Sequence, residues 1–153
     1  MREDEPEAED PQARAMRRAA TLWAEDAHAR ALGMVIVEVA PGRAVLELTV
    51  APTMADGHGT AHGGLVFTLA DSAFAFAANS RAEDHVAEHA SVTFLRPVAV
   101  GERLRAEAVE RRRRARGGLF DVTVTDEAGD VVAEFRGHSR ATACDDGPSG
   151  VER

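Results

Sequence analysis

The longest apolar stretch of the chain covers residues 65–78 and contains neither proline nor glycine. It is rich in alanine and leucine and is apolar on nearly every side, a pattern that predicts a helix buried on most of its circumference. A helix of this length would extend only ~21 Å, which is too short to cross a bilayer. The pattern therefore predicts a central core helix around which the rest of the chain folds.

Six segments with β-branched or alternating apolar residues surround this helix in sequence, two before it and four after it. They are 34–39, 43–50, 86–96, 103–113, 119–126 and 131–139. The last four are separated by short turns, as in an antiparallel meander. A curved antiparallel sheet wrapped around the helix would cover it on several sides. We predict an α+β fold whose remaining exposed edge and face favour dimerisation.

A weaker helical pattern precedes the predicted sheet. Apolar residues recur at helical spacing over 11–32 and Gly33 follows, which predicts one amphipathic helix laid on the domain. Residues 1–10 and 145–153 are rich in charged or turn-forming residues, and we expect both ends to be disordered. A single domain is expected over 11–144.

Composition and charge narrow the class of protein. The 153 residues are 44% hydrophobic and 29% charged, which suits one globular domain. The formal net charge of −8 argues against a general nucleic-acid binder, which must neutralise phosphates. The one cysteine, Cys144, cannot form an internal disulfide. Residues 1–5 are acidic and no apolar segment follows them, so we expect no secretory signal, no membrane association and a cytoplasmic location.

A glycine pair and one acid distinguish the predicted core helix from a purely structural one. Gly63 and Gly64 leave N–H groups uncrowded at the positive end of the helix dipole, where an N–H can polarise a carbonyl. Asp71 is the one carboxylate of the apolar run and can act as a general base or a nucleophile. Both features also have a structural explanation: a packing or turn requirement for the glycines, and a hydrogen-bonded buried acid for Asp71.

The spacing of Gly63 and Asp71 constrains any site that they share. Eight residues of helix separate them by ~12 Å along the axis and ~80° around it. One thioester or ester carbon cannot contact both groups of the same helix. If both act on one substrate, they come from different chains, with two such helices antiparallel across a two-fold axis at a dimer interface.

The loop before the helix carries the polar side chain of Thr60 and three others that superficially resemble metal ligands. These three are Asp56, His58 and His62. No cysteine contributes and nothing in the sequence holds the loop in place, so we predict no metal site and no other cofactor. We expect His62 to orient the loop or to donate a hydrogen bond near a substrate carbonyl.

Further candidates lie near the ends of predicted elements. We interpret the arginine-rich run 111–116 as a solvated strand end, with an anchor for the phosphates of a nucleotide-bearing substrate as the alternative. Arg96 is a similar candidate for binding phosphate. Asn79 is expected to cap the helix or to contact the substrate, and Phe74 to lie in the core or in a pocket wall.

Several motifs carry a resemblance to a known family. They are Gly-Thr-Ala-His-Gly-Gly at 59–64, Leu-Ala-Asp-Ser-Ala-Phe-Ala at 69–75, Asn-Ser at 79–80 and Phe-Leu-Arg-Pro at 94–97. In these motifs the sequence resembles the hotdog-fold acyl-CoA thioesterases, and among them the phenylacetate-pathway (PaaI-type) enzymes. The resemblance extends over residues 32–140.

The resemblance implies hydrolysis of the thioester of an acyl-CoA, often an aryl-acetyl one, at a site shared between two subunits. By similarity, the Gly63 N–H polarises the thioester carbonyl, and Asp71 of the partner subunit activates water or attacks directly. His62 and Asp56 are neighbouring site residues. The candidate substrate-binding residues are Gly64, Phe74, Asn79 and Arg96. The family is typically a dimer of dimers and needs no metal.

Two positions depart from the family pattern. The family usually has asparagine six residues before the histidine, where this chain has Asp56, and an ionised carboxylate can only accept hydrogen bonds. Asp56 could position a water or the substrate, lie in a shifted loop, or lower the activity. Ala75 stands where some 4-hydroxybenzoyl-CoA thioesterases have serine or threonine, so the chain fits that subgroup less well.

Two other functions stay open at this point. An enoyl-CoA hydratase of the same fold needs a paired acid and histidine, usually at a spacing different from that of His62 and Asp71. A non-catalytic acyl-CoA-binding module would have no use for a base beside an oxyanion donor. We therefore expect an acyl-CoA thioesterase that acts on aryl- or hydroxyphenylacetyl-CoA and has a second copy of the chain as its partner.

Overall fold

The computed structural model describes residues 8–142. The disorder expected for 1–7 and 145–153 falls outside these residues, as does Cys144. The helices are α1 (Pro11–Glu25), α2 (Ala27–Ala31) and α3 (Gly63–Ala78), with a short 3₁₀ turn at Pro52–Met54. The strands are β1 (Val35–Ala40), β2 (Arg43–Thr49), β3 (His85–Phe94), β4 (Arg103–Arg114), β5 (Gly117–Thr125) and β6 (Val131–Ala141).

The six strands form one antiparallel sheet in the order β1-β2-β4-β5-β6-β3. This sheet with one long helix confirms the predicted α+β class and the hotdog arrangement. The meander is confirmed for β4, β5 and β6 but was wrong for β3, which pairs with β6 instead of β4. The reason is that β2 occupies the place beside β4, and α3 carries the chain from β2 to the opposite edge of the sheet.

The core lies between α3 and one face of the sheet. Nine of the sixteen residues of α3 are buried, as the apolar run predicts. Burial alternates along the central strands, with Leu104 and Ala106 of β4 and Val122 and Val124 of β5 buried completely. This period of two places every second side chain of those strands in the core.

One close contact determines how near α3 approaches the sheet. The ring of Phe74 lies against Gly137 of β6, and a Cβ atom at Gly137 would come within 2.9 Å of that ring. The Phe74 ring cannot simply move aside, because Phe120 and Phe135 pack against it with ring centroids 5.4 Å and 5.8 Å away. Gly137 is therefore required by packing.

The N-terminal helical segment differs from the prediction of one helix over 11–32. It divides at Asp26, whose backbone leaves the helical conformation and whose side chain accepts a hydrogen bond from the Ala29 N–H. Aspartate favours such a cap because its short side chain satisfies the free N–H groups of a first turn. Asp10, which the prediction placed in a disordered end, caps α1 in the same way by accepting from the Ala13 N–H.

The two edges of the sheet differ in how they are covered. α1 lies beside β1, where Gln12 Nε2 donates to the Val39 carbonyl at 2.8 Å. β3 has no strand on its outer side within the described residues, and most of its side chains are exposed. Phe94 at its end is 51% exposed. A long uncovered edge of this kind is a template for pairing with another strand.

No helix among the described residues is both long enough and apolar enough to span a membrane.

Gly137→Ala is expected to lower the free energy of unfolding by about 1–3 kcal/mol, because the new methyl group overpacks the contact with Phe74. Urea denaturation monitored by circular dichroism measures this change. Gly57→Ala is the matched control, since a Cβ there meets nothing within 4 Å, and it should stay within about 0.5 kcal/mol of wild type. Equal effects of the two substitutions would contradict the packing role of Gly137.

Candidate active site

The first turn of α3 leaves one N–H group free. His62 caps the helix: its Nδ1 accepts from the Gly64 N–H at 2.9 Å, and its carbonyl accepts from the N–H groups of Leu65 and Val66. The Gly63 N–H has no acceptor within the described residues. At the positive end of the helix dipole, that N–H is the group available to an oxygen of a substrate.

The two glycines of this turn differ in why they are there. A Cβ at Gly64 would lie 3.0 Å from His62 Nδ1, so a side chain there would disturb the cap. A Cβ at Gly63 would meet nothing closer than 3.4 Å, an ordinary contact with the Phe94 ring. Packing therefore accounts for Gly64 and does not require Gly63. We predicted Gly64 as a substrate-binding residue, and its N–H group already donates to His62 Nδ1.

The segment before α3 is held by the backbone of its neighbours. The His62 N–H donates to the Met54 carbonyl at 2.9 Å, and the Ala61 N–H donates to the Val98 carbonyl at 2.8 Å. These bonds come from two different parts of the chain. They hold the start of the helix in a defined position, which an oxyanion-binding group requires.

A cavity of about 310 Å³ lies in front of Gly63. Its walls are formed mainly by apolar side chains of the helix start and of the segments that begin β6 and follow β3, namely Ala61, Val66, Phe94, Leu95, Pro97, Val98 and Val132. From the sequence, Phe94 and Leu95 stood out only as part of a motif, and Val132 was not predicted to line a site. The available signal was an apolar pair at the end of a strand, directly before Arg96-Pro97.

Arg96 lines the same cavity but its guanidinium group is occupied. It donates to Glu102 at 2.9 Å, to Asp126, and to the Pro97 carbonyl at 2.7 Å. These carboxylates hold the pKa of Arg96 above its ordinary value, chiefly through the hydrogen bond to Glu102. Arg96 thus holds the cavity wall in place through these contacts. The geometry gives no support to its prediction as a phosphate-binding residue.

Asp71 lies two turns further along α3 and does not line the cavity of its own chain. Its carboxylate has no hydrogen bond or ion pair within the described residues. Burial raises the pKa of the Asp71 carboxyl above its ordinary value. Thr68, Ser72 and Ala75 share its partly exposed face of the helix. A partly buried carboxylate without a partner costs stability, and carboxylates of this kind are often found at functional sites.

Asp56 organises the loop before the cavity. Its Oδ1 accepts from the His58 N–H at 2.8 Å and from the Thr60 N–H at 3.2 Å. These hydrogen bonds, the one from His58 foremost, hold the pKa of Asp56 below its ordinary value. The side chain is therefore an ionised acceptor committed largely to its own loop, whereas Oδ2 has only a 3.4 Å contact from the Thr60 hydroxyl.

Two predicted substrate-binding residues have structural roles. Asn79 ends α3 and links it to β3: its Nδ2 donates to the carbonyls of Ala75 and His85, and its Oδ1 accepts from the His85 N–H. Phe74 is 1% exposed and belongs to the core. These structural roles lend no support to their prediction as substrate-binding residues. Neither lines the cavity in front of Gly63.

The structure places Gly63 and Arg96 at one cavity, and Asp71 does not line it. His62 and Gly64 lie next to Gly63 in the cap of the helix. Asp56 belongs to the loop that leads into the helix. Within residues 8–142 no group of three or more histidine, cysteine, aspartate or glutamate side chains is close enough to hold a metal ion. The arrangement combines an oxyanion-type donor, an apolar cavity and a distant unpaired carboxylate.

Known proteins resemble this chain both in sequence and in structure. A model of the thioesterase superfamily matches residues 58–133. The acyl-coenzyme A thioesterase PaaI of Escherichia coli strain K12 is 39% identical over 126 residues, which cover 82% of this chain and 90% of that protein. The solved structure of E. coli PaaI, from the phenylacetic acid degradation operon, has a TM-score of 0.86 and 36% identity, and covers 88% of this chain and 97% of that chain.

A second solved structure contains a coenzyme A ligand. The protein smu.793 of Streptococcus mutans, solved with bound acetyl CoA, has a TM-score of 0.69 and 25% identity. The match covers 71% of this chain and 88% of that chain.

His62→Ala is expected to lower the free energy of unfolding by about 1 kcal/mol, because the Gly64 N–H loses its acceptor. Thermal or urea denaturation measures the loss. His62→Asn is the matched control, since asparagine is a good cap and should keep most of the stability. If the asparagine variant were as unstable as the alanine variant, the capping role of His62 would be wrong.

Proposed function

The chain belongs to the thioesterase superfamily and is an acyl-CoA thioesterase of the hotdog fold, a hydrolase acting on thioester bonds, and on this basis we propose its substrate and mechanism. We propose that it hydrolyses aryl-acetyl thioesters of CoA, such as phenylacetyl- or hydroxyphenylacetyl-CoA, at sites formed by two subunits. One observation carries this proposal. The free N–H group at the start of α3, that of Gly63, faces an apolar cavity, and Asp71 of the same chain does not line that cavity.

The second subunit supplies the missing carboxylate. The N-terminal end of α3 lies beside Phe94, at the end of β3, so the helix and this edge strand run past each other in opposite directions. Antiparallel pairing of β3 with the same strand of a second copy would place the two α3 helices antiparallel across a two-fold axis. Our proposal requires the register of this pairing that brings Asp71 of the partner subunit level with Gly63. Such dimers can associate further into a dimer of dimers.

The roles of the groups follow from their chemistry. The Gly63 N–H donates a hydrogen bond to the thioester oxygen, which becomes negatively charged as the tetrahedral intermediate forms. Asp71 of the partner subunit removes a proton from the attacking water or attacks the carbonyl itself. Burial raises the pKa of its carboxyl, which makes the carboxylate a stronger base. Asp56 holds the loop, and its weakly bound Oδ2 is an acceptor for the attacking water.

The proposed acyl group fits the size and lining of the cavity. About 310 Å³ with mostly apolar walls suits a compact aromatic group better than a long acyl chain. The relative PaaI is encoded in a phenylacetic acid degradation operon, which also supports an aryl-acetyl substrate. The mechanism needs no metal or other cofactor, and we place the enzyme in the cytoplasm, where acyl-CoA substrates are found.

Free-thiol release from a panel of acyl-CoAs tests the proposed function. The panel contains phenylacetyl, hydroxyphenylacetyl, benzoyl, acetyl and medium- and long-chain thioesters, and the aryl-acetyl ones should have the highest kcat/KM. Loss of enoyl absorbance from crotonyl-CoA without thiol release would instead indicate a hydratase. Tight acyl-CoA binding with no thiol release from any thioester would indicate a binding module.

Gly63→Pro removes the one N–H group under test and should preserve the helix. Proline is favoured at the first helical position, and His62, at φ −59° and ψ 134°, already has the conformation that precedes proline. We expect kcat to fall by about 10²–10³-fold. Gly63→Ala keeps the N–H and should retain most of the activity. Equal losses for both variants would show that the side-chain volume matters and the N–H does not.

Asp71→Asn should lower kcat by about 10²–10⁴-fold without loss of stability. An acid whose pKa is raised on folding favours the folded state at low pH, and this contribution is lost as the pH rises through the raised pKa. Removing the charge should therefore keep or raise the Tm at pH 7. In wild type, kcat/KM should fall with acidification at a pH above the ordinary range of aspartate. A variant with near-normal kcat would contradict the role of Asp71.

A further inference from the structure

A positively charged groove lies away from the cavity in front of Gly63. It has a volume of about 480 Å³ and lies where the β4–β5 turn meets the end of β6. The charged side chains and the histidine that line it are Arg112, Arg114, Arg116, Arg140, Glu88 and His138. We call this the arginine groove.

The charge of the arginine groove is poorly balanced. Most described arginines pair with a carboxylate, as Arg136 does with Asp121 at 2.7 Å. Arg112, Arg114 and Arg116 have no ion pair within residues 8–142. The Arg140 contact to Glu88, at 3.7 Å, is long for a hydrogen-bonded ion pair.

Such a concentration of positive charge is unexpected in a chain with a net charge of −8. Neighbouring arginines on adjacent strands repel one another, so the cluster weakens the fold unless an anion is present. Arginine donates two parallel hydrogen bonds to a phosphate and is well suited to phosphate recognition. The groove therefore has the charge and the hydrogen-bond donors of a site for a phosphorylated ligand.

We propose that the arginine groove binds the phosphate groups at the nucleotide end of the acyl-CoA substrate. The proposal rests on the thioesterase function proposed above. It also revises our interpretation of the run 111–116 as a solvated strand end, because three of its arginines share one concave surface.

The register of the sheet supports a link between the groove and the catalytic cavity of the other subunit. Within one chain, Val132 lines the cavity and Ser139 lines the groove, and seven residues of β6 separate them by ~23 Å. Antiparallel pairing of two β3 strands reverses one chain relative to the other. The groove of one subunit then lies at the same end of the joined sheet as the cavity of its partner. The pantetheine arm would connect the two around that end.

The run itself contains a matched control. Arg113 has the same charge and the same strand as Arg112 and Arg114, and it also has no ion pair within the described residues, but it does not line the groove. Arg112→Gln, Arg114→Gln and Arg113→Gln therefore change the net charge equally. Only the first two remove a donor from the proposed phosphate site.

The decisive experiment compares two substrates at low ionic strength. One is phenylacetyl-CoA, and the other is the phenylacetyl thioester of pantetheine, which lacks the nucleotide. Arg112→Gln and Arg114→Gln should each raise KM for the CoA thioester about tenfold with little change in kcat, the size expected for one charge-assisted hydrogen bond. Neither should affect the pantetheine thioester, and Arg113→Gln should resemble wild type with both.

Each other outcome overturns the proposal. If Arg113→Gln raises KM as much as Arg114→Gln does, the arginines attract the substrate only through their overall charge and form no specific phosphate site. If wild type hydrolyses phenylacetyl-CoA and no arginine variant changes KM, the groove does not hold the nucleotide, although the thioesterase function stands. If wild type hydrolyses neither thioester, the proposed function fails instead.

Direct binding separates the substrate from an independent nucleotide effector. Isothermal titration with adenosine 3′,5′-bisphosphate should show binding that is weakened by Arg114→Gln and not by Arg113→Gln, with dephospho-CoA binding more weakly than CoA. Binding of the free bisphosphate that leaves KM for phenylacetyl-CoA unchanged in the arginine variants would assign the groove to a separate ligand and overturn the proposal.

Discussion

The constraint on which the whole structure depends is the need to cover α3. Nine of its sixteen residues are buried, and one antiparallel sheet supplies most of the covering surface. The contact between Phe74 and Gly137 shows how closely the helix and the sheet approach. The sheet does not close around the helix, and the strip that stays partly exposed carries Asp71. The one acid of the helix therefore lies where a second chain can reach it.

Much of this fold could be predicted from the sequence, because its signals are local. The apolar run predicted α3 to within two residues of its start, and all six strands were found. The errors came from long-range competition. β3 was expected to pair with β4, but that position belongs to β2, and no local pattern shows which strand occupies it. The division of the first helix at Asp26 came from a cap that outcompeted a continuous helical pattern.

The candidate site could be predicted only where its residues are close together in the sequence. Gly63 lines the cavity and His62 caps the same helix start, because the two are neighbours in sequence. Asn79 and Arg96 were named from motifs, yet their side chains are used by His85 and by Glu102 and Asp126, which tertiary structure brings to them. The sequence likewise does not show that the charge of the arginine groove is unbalanced, because this depends on which carboxylates the fold brings close to its arginines.

Subunit complementation tests the central claim, a site formed by two chains, most directly. Gly63→Pro and Asp71→Asn chains are refolded together in equal amounts, and thiol release from phenylacetyl-CoA is measured. In a mixed dimer one site carries both substitutions and the other carries none, so the account predicts recovery of about one quarter of wild-type activity. Activity no higher than that of the two separate variants would show that Gly63 and Asp71 do not act across the interface.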